Sequence, residues 1–385
     1  MEENEETRTG VSLVWVRFGD TFSSTALVMV YNHPHQDFPC SVLPVQAVLV
    51  PWVSVCSLIC GKTMNITVPM GFSLFFPSSS NNGHVILLLV VPFLAILCIM
   101  KIARLSQVSH SDIHAAFLRA FSDYQIPVKE TLEEMAVENR QRGIDYDASF
   151  GAFADNGELV GFLFCGVRND EGNLRYYDGG TAIIPEWRGR GIGGLLLDTV
   201  LPDAKSRGAY DFILEVIQDN LKARKLYESR GFSISRNLRC YKKLLKDIPL
   251  MESCSYTIKT PSMDEYGEVS KSLSLPYIPS WQNTNSSVLS IFEHLITRVL
   301  IQGRKPVGYF VLNPQTGHIL QMSALGGSPS IYSELMSLVK TCTMADSVKF
   351  INIDESSTLI TFLEENRWDR YIDQYEMIKC FKPTS

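Results

Sequence analysis

Residues 181–194, Thr-Ala-Ile-Ile-Pro-Glu-Trp-Arg-Gly-Arg-Gly-Ile-Gly-Gly, constrain the fold of this chain more than any other segment. An apolar stretch ends at a proline, glycines follow at 189, 191, 193 and 194, and an apolar helical repeat begins at Ile192. A strand, a glycine turn and a helix start in that order make an anion site. The glycines remove side chains that would hold a ligand off the backbone, and the first N–H groups of the helix point outward without intrahelical partners. Arg188 and Arg190 add positive charge where a pyrophosphate would lie.

Two patterns compete for this loop. Gly189, Gly191 and Gly194 satisfy G-x-G-x-x-G, with Glu215 near the acid that a dinucleotide site places downstream. In that site the glycines directly follow the strand that opens the domain. Here Pro185, Glu186, Trp187 and Arg188 intervene, and only one βαβ unit is visible, which argues against a nicotinamide oxidoreductase. The other pattern is Arg188-x-x-Gly191-x-Gly193 after Ile183-Ile184-Pro185. It is followed by the strand-like Phe212 to Val216, then Asn220, Ala223, Leu226-Tyr227, Gly231-Phe232 and a closing strand at Leu238 to Lys242. In this order and spacing, about 101 to 246 resembles the GNAT superfamily of acyl-CoA-dependent N-acetyltransferases.

Periodicity supplies the remaining elements. Lys101 to Leu105 reads as a strand, Ser111 to Phe121 as a helix behind a Ser/Asp cap, and Glu130 to Arg142 as a second helix. Ser149 to Phe153 and Leu159 to Val167 flank an Asn-Gly hairpin at 156–157, and Leu174 to Ile184 completes a meander. Ile192 to Ala204 is an amphipathic crossover to a strand at Tyr210 to Val216. The expected class is α/β, an α+β mixed sheet with helices on both faces.

Residues 251–383 read as a worn second copy, which makes the fold a duplicated one. Leu363 to Trp368 overlays Tyr227 to Phe232 without gaps, and Val307-Gly-Tyr-Phe310 echoes Val160-Gly-Phe-Leu163. The same register sets Ala324 against Arg188, Pro329 against Gly193 and Leu363 against Tyr227, so this half is not expected to bind CoA in the same way. It would pack on the first half as a pseudo-dimer or shape the acceptor pocket; an unrelated α+β domain is the alternative.

Residues 1–100 are poor in charge: between Asp37 and Lys62, and again to Lys101, no acidic or basic residue occurs apart from one histidine. Val85 to Met100 is apolar except for Pro92, about 24 Å as a helix against a hydrocarbon core of about 30 Å. One expectation is a membrane anchor at 85–100 with the catalytic domain on the cytoplasmic side, as Lys101 and Arg104 would favour. The other is a non-native or disordered extension before a cytoplasmic protein, with Met100 suited to a start. Glu2, Glu3, Glu5 and Glu6 oppose a signal peptide.

A net charge of −6 gives no footprint for nucleic acid, and the nine cysteines show no paired C-x-x-C, so neither a metal site nor a disulfide framework is expected. The resemblance implies acetyl-CoA as co-substrate, direct attack by an amine in a ternary complex, and a small molecule or peptide as the amine. A sensor or interaction module that binds acyl-CoA without catalysis is the rival function. By resemblance, Ile183 offers an N–H to the thioester oxygen, Ile183 and Ile184 pair with the pantetheine arm, and Tyr227 protonates the departing thiolate. Arg188, Gly189, Arg190, Gly191, Ile192, Gly193 and Gly194 would hold the pyrophosphate. Asn220 would touch the pantetheine arm or cap the next helix. Asp178 is the first candidate for the general base and Glu215 the second. Acceptor recognition would fall in 121–147, whose acids include Asp123, Glu130, Glu133, Glu134 and Glu138, alongside Tyr124.

Overall fold

The computed structural model describes residues 6–7, 11–17, 25–31, 54–58, 66–68, 72–74, 85–89, 100–123, 129–251 and 256–381. Met1–Met100 and Lys101–Ser385 form two separate units. In the first, Val11–Arg17 pairs antiparallel with Thr25–Tyr31, and Ser54–Leu58 with Val85–Leu89. The start of the apolar run considered as a membrane helix is therefore a strand, and 90–99 lie outside the described residues. Among the described residues no helix is long and apolar enough to cross a membrane.

Counting from Lys101, the second unit runs β1 (Lys101–Arg104), α1 (His110–Ala120), α2 (Leu132–Arg142), β2 (Phe150–Phe153), β3 (Leu159–Asp170), β4 (Asn173–Ile183), α3 (Ile192–Ser206), β5 (Asp211–Ile217), α4 (Leu221–Glu228) and β6 (Ser233–Leu244). The same succession then repeats as β7 (Thr257–Lys259), α5 (Met263–Ser272), α6 (Asn285–Ser290), β8 (Ile296–Gln302), β9 (Lys305–Asn313), β10 (His318–Ala324), α7 (Pro329–Cys342), β11 (Ser347–Asp354), α8 (Thr358–Glu365) and β12 (Asp369–Cys380). Helix α1 begins one residue before the expected cap pair, capped by Ser109, while Thr131 and Glu134 form a capping box on α2 and Gly143 closes it in the left-handed region. Gly157, with φ 82°, turns the β2–β3 hairpin, but Asn156 does not share the positive φ expected of an Asn-Gly pair: Gly157 N–H donates to Ala154 O and Ala154 N–H to Glu158 O, a longer turn with glycine alone in the left-handed region.

All twelve of these strands join one mixed sheet, in the order β7-β8-β9-β10-β11-β6-β12-β5-β4-β3-β2-β1. The last strand of each copy has crossed into the other. Strand β12 lies against β5 from Asp211↔Cys380 to Ile217↔Gln374, β6 lies against β11, and β6 and β12 pair with each other at the centre. Helix α3 packs Leu196, Leu197, Val200 and Leu201 into the first core, each contributing about 1.5–3 kcal/mol by leaving water. The second core gathers Phe310, Leu335, Phe350, Leu359, Phe362, Leu363 and Trp368 around α7 and α8.

The copies correspond closely at their ends. Phe232 N–H donates to Tyr227 O and Trp368 N–H to Leu363 O, so Leu363 does stand in the place of Tyr227. The loop register differs from the sequence overlay. Gly161 lies opposite Ile183, and Gly308 opposite Ala324, so Ala324 matches Ile183 rather than Arg188. Helix α7 begins at Pro329 as α3 begins at Ile192, so Pro329 matches Ile192 rather than Gly193. Only 325–327 separate Ala324 from the cap Ser328, against 184–190 in the first copy. A gapless overlay cannot register a shortened loop.

Candidate active site

Strands β4 and β5 are parallel and pair only at Arg175↔Asp211, Tyr176↔Phe212 and Tyr177↔Ile213. Beyond that point β4 runs on to Ile183 and β5 to Ile217 without pairing, so a wedge opens between them. On the other side of β4, Ile184 N–H donates to Val160 O at 2.9 Å. Hydrogen bonds alternate along an antiparallel edge, so the N–H of Ile183, which sits opposite Gly161, faces the open wedge. The Ile184 side chain is buried.

At the mouth of the wedge, the glycine loop leads into α3. Gly189 and Gly191 both have φ 78°, a conformation that glycine adopts without strain, and a Cβ at either would meet nothing within 4 Å. Gly191 occupies the N-cap without a side-chain cap, which leaves the first-turn N–H groups for a ligand. Gly193 and Gly194 lie in that first turn, facing Leu226 and Arg230 respectively. The Ile192 side chain is buried, so this residue offers a ligand only its backbone. Arg190 is exposed, its guanidinium 4.5 Å from the centre of the Trp187 ring and 3.0 Å from Glu186 O. Arg188 is engaged within the protein: it donates to Ile183 O at 2.9 Å and Ala120 O at 2.7 Å and forms an ion pair with Asp123. It ties the end of β4 to the end of α1.

Inside the wedge two acid groups sit in different surroundings. Asp178 is 8 % exposed, and both its oxygens are occupied: Oδ2 accepts from Thr181 Oγ1 at 2.7 Å and from Tyr227 Oη at 3.1 Å, and Oδ1 accepts from Gly180 N–H at 3.0 Å. Burial raises its pKa against the pull of those hydrogen bonds. Burial and the neighbouring Asp178 likewise push the Tyr227 phenol well above its usual range. Asn220 caps α4, accepting from Ala223 N–H at 3.1 Å, which is one of its two expected roles.

Glu215 projects from β5. Its Oε2 accepts from Tyr177 Oη, while Oε1 is shut off from solvent and has no hydrogen-bond partner. Burial, with Glu376 directly across the strand pair, pushes its pKa up to about 7, and the Tyr177 hydrogen bond opposes this. Glu376 is itself neutralised by Arg236 at 2.6 Å.

Three neighbours of this pair had no signal in the sequence. Trp281, from the loop after α5, stacks on Tyr177 at 5.0 Å, and Gln282 Nε2 donates to Tyr177 Oη at 3.3 Å. Trp281 Nε1 also donates to Arg142 O at 2.8 Å, and Arg168 lies 4.6 Å above the indole. The second copy thus forms a wall beside Glu215, which no local pattern could reveal across more than a hundred residues. Tyr124 lies outside the described residues.

The corresponding wedge of the second copy is bridged. Strands β10 and β11 pair only at His318↔Lys349. Between them Gln321 Nε2 donates to Asn283 O at 2.7 Å, Asn283 Nδ2 donates to Ile351 O at 2.8 Å, and Tyr266 and Tyr309 both donate to Gln321 Oε1. This buried network bridges the two strands where they part, and of its side-chain polar atoms only Asn283 Oδ1 is left without a partner.

Residues 112–232 match the Acetyltransferase (GNAT) family, so the chain carries a domain of that family. A search of curated proteins returns no match. Among solved structures, the tandem GNAT protein of the clavulanic acid biosynthesis pathway superposes with a TM-score of 0.55 at 14% identity, covering 74% of this chain and 100% of that one. A GCN5-related N-acetyltransferase from Sphaerobacter thermophilus gives 0.54 at 15% identity, covering 74% and 96%. A candidate acetyltransferase from Pyrococcus horikoshii gives 0.54 at 14% identity, covering 74% and 90%. At these identities the likeness concerns the fold, and the tandem relative shares the duplication.

Proposed function

We propose that the first copy transfers an acetyl group from acetyl-CoA to a primary amine by direct attack in a ternary complex. The observation that carries this reading is the wedge between β4 and β5, which points at the uncapped start of α3. Loop and helix N–H groups with Arg190 would hold the pyrophosphate, while Arg188 braces the strand behind it. The Ile183 N–H faces the place where the thioester oxygen would gain charge.

Glu215 is the better general base. Its Oε1 is unpartnered and its pKa, about 7, suits proton removal at neutral pH, whereas both Asp178 oxygens are engaged. Nitrogen attack forms the N–C bond, Glu215 takes the amine proton, and breaking the C–S bond leaves a thiolate that Tyr227 protonates. Asp178 holds the Tyr227 hydroxyl in place. The test is thiol release from acetyl-CoA with a panel of amines, run beside a melting curve. Amine-dependent release, with a rise in Tm on adding acetyl-CoA but not NADH, supports the reading. Binding without release under any amine would favour an acyl-CoA sensor.

A further inference from the structure

A turn of the second copy, Trp281 to Thr284, touches both wedges and is pinned from three sides. From β3, Arg168 donates to Trp281 O at 3.3 Å, Thr284 Oγ1 at 2.9 Å and Ser287 Oγ at 2.8 Å, and to Gln141 O at the end of α2. All four acceptors are neutral, so this cation spends its hydrogen bonds on holding the turn. From α2, Gln141 Nε2 donates to Gln282 O at 2.9 Å, while Trp281 Nε1 donates back to Arg142 O at 2.8 Å. From the second copy, Ile351 O accepts from Asn283 Nδ2 and Gln321 Nε2 donates to Asn283 O. The backbone on both sides of Gln282 is therefore fixed, and its half-buried side chain is delivered to Tyr177 Oη, where Nε2 donates at 3.3 Å.

Tyr177 has a single hydroxyl proton to give, and it gives it to Glu215 Oε2. Burial and the nearby Glu215 push the phenol well above its usual range, so the proton stays on the hydroxyl. The Gln282 N–H takes up a lone pair of the phenol oxygen and leaves that proton directed at the acid. The charged groups that face Glu215 are Arg142 from α2, shared with Glu130 and Glu138, and Glu376 from β12, paired with Arg236 from β6. Arg168 and Asp178 act on Tyr177 itself. Among the described residues only Tyr177 donates a hydrogen bond to Glu215. We propose that Gln282 is a positioning residue for the reaction: through Tyr177 it keeps the hydroxyl proton on Glu215 Oε2, so that Oε1 is the oxygen that receives the amine proton. In the step the amine N–H bond breaks and an O–H bond forms at Oε1, while Tyr177 retains its own proton. This rests on Glu215 as the base, and it gives the second copy a part in the chemistry of the first.

The experiment uses the full chain as Gln282→Leu, Tyr177→Phe and the double variant, and reads kcat/KM against pH, with the acetyl-CoA melting shift as the control for folding. Losing the Gln282 donor should weaken the Tyr177 bond to the ionised acid and move the rising limb of kcat/KM up by about 0.5–1 pH unit, the worth of one net hydrogen bond. Tyr177→Phe should move the limb up at least as far, and Gln282→Leu should add nothing in that background. A limb that stays in place in Gln282→Leu yet vanishes in Glu215→Gln would overturn the proposal and leave acyl transfer intact. A downward shift, or one that persists without the Tyr177 hydroxyl, would overturn it too. If Gln282→Leu loses the melting shift, Gln282→Met, similar in length and without a donor, takes its place. If no amine turns over, carbon-13 NMR of the chain labelled at its glutamate carboxyls reads the same titration, the signal being assigned by its loss in Glu215→Gln, and the same shifts uphold or overturn the relay. A Glu215 signal that shifts as expected beside a kcat/KM profile that survives Glu215→Gln would count against Glu215 as the base and leave the relay standing.

Discussion

Asp178 and Glu215 show how far a residue's chemistry depends on where its oxygens point. Both are acids on neighbouring strands, and sequence spacing favoured Asp178 as base. The structure surrounds Asp178 with three donors and leaves Glu215 Oε1 with none. If Glu215 is the base, kcat/KM should rise with pH through about 7 as it ionises, and Glu215→Gln should lose that limb and about 10²–10⁴-fold in rate. Stability should move the other way. Folding raises the Glu215 pKa from 4.5 to about 7, so its contribution is fully present below 4.5 and lost as pH rises through 7. Urea titrations should therefore find Glu215→Gln more stable than the parent above pH 7, by up to about 3 kcal/mol, and little changed at pH 4. For Tyr227→Phe, a fall in kcat of about 10²-fold with acetyl-CoA binding retained is expected from steady-state kinetics and melting curves. A mutant that binds acetyl-CoA no longer would show that Tyr227 shapes the site and does not act as its acid.

At the scale of elements, helices, the Asn-Gly hairpin and the glycine loop were legible because each is determined by local rules: caps, periodicity, and glycine where φ is positive. Gly191→Asp tests the loop directly. Nothing lies within 4 Å of a Cβ there and aspartate tolerates the left-handed region, so the protein should fold, while a negative side chain at the start of α3 should abolish the acetyl-CoA melting shift. The role of Arg188 was not legible. Its position after the strand suggested a phosphate ligand, whereas its bonds to Ile183 O, Ala120 O and Asp123 depend on α1 packing beside β4. The second copy shows the same limit, because the match at Leu363–Trp368 was readable and the shortened loop before α7 was not.

At the scale of the whole molecule, the exchange of β6 and β12 joins the copies into one cooperative unit. Removing everything after Ile248 would strip β5 of β12 and β6 of both its neighbours, exposing long strand edges at the centre of the sheet. The truncated chain should be insoluble or fail to bind acetyl-CoA, and co-expression with 249–385 should restore the melting shift; a soluble, binding fragment 100–248 would contradict this. The sequence by itself determined the phosphate-type loop, the order of elements and the existence of a second copy, since each rests on residues close together along the chain. The tertiary structure alone decided which strands exchange, that Gln321 and Asn283 bridge the second wedge, that Trp281 and Gln282 wall the first, and which acid has a free oxygen. Those outcomes depend on contacts between distant segments and on the burial they impose, and burial sets whether a carboxylate is held by donors or left available for chemistry.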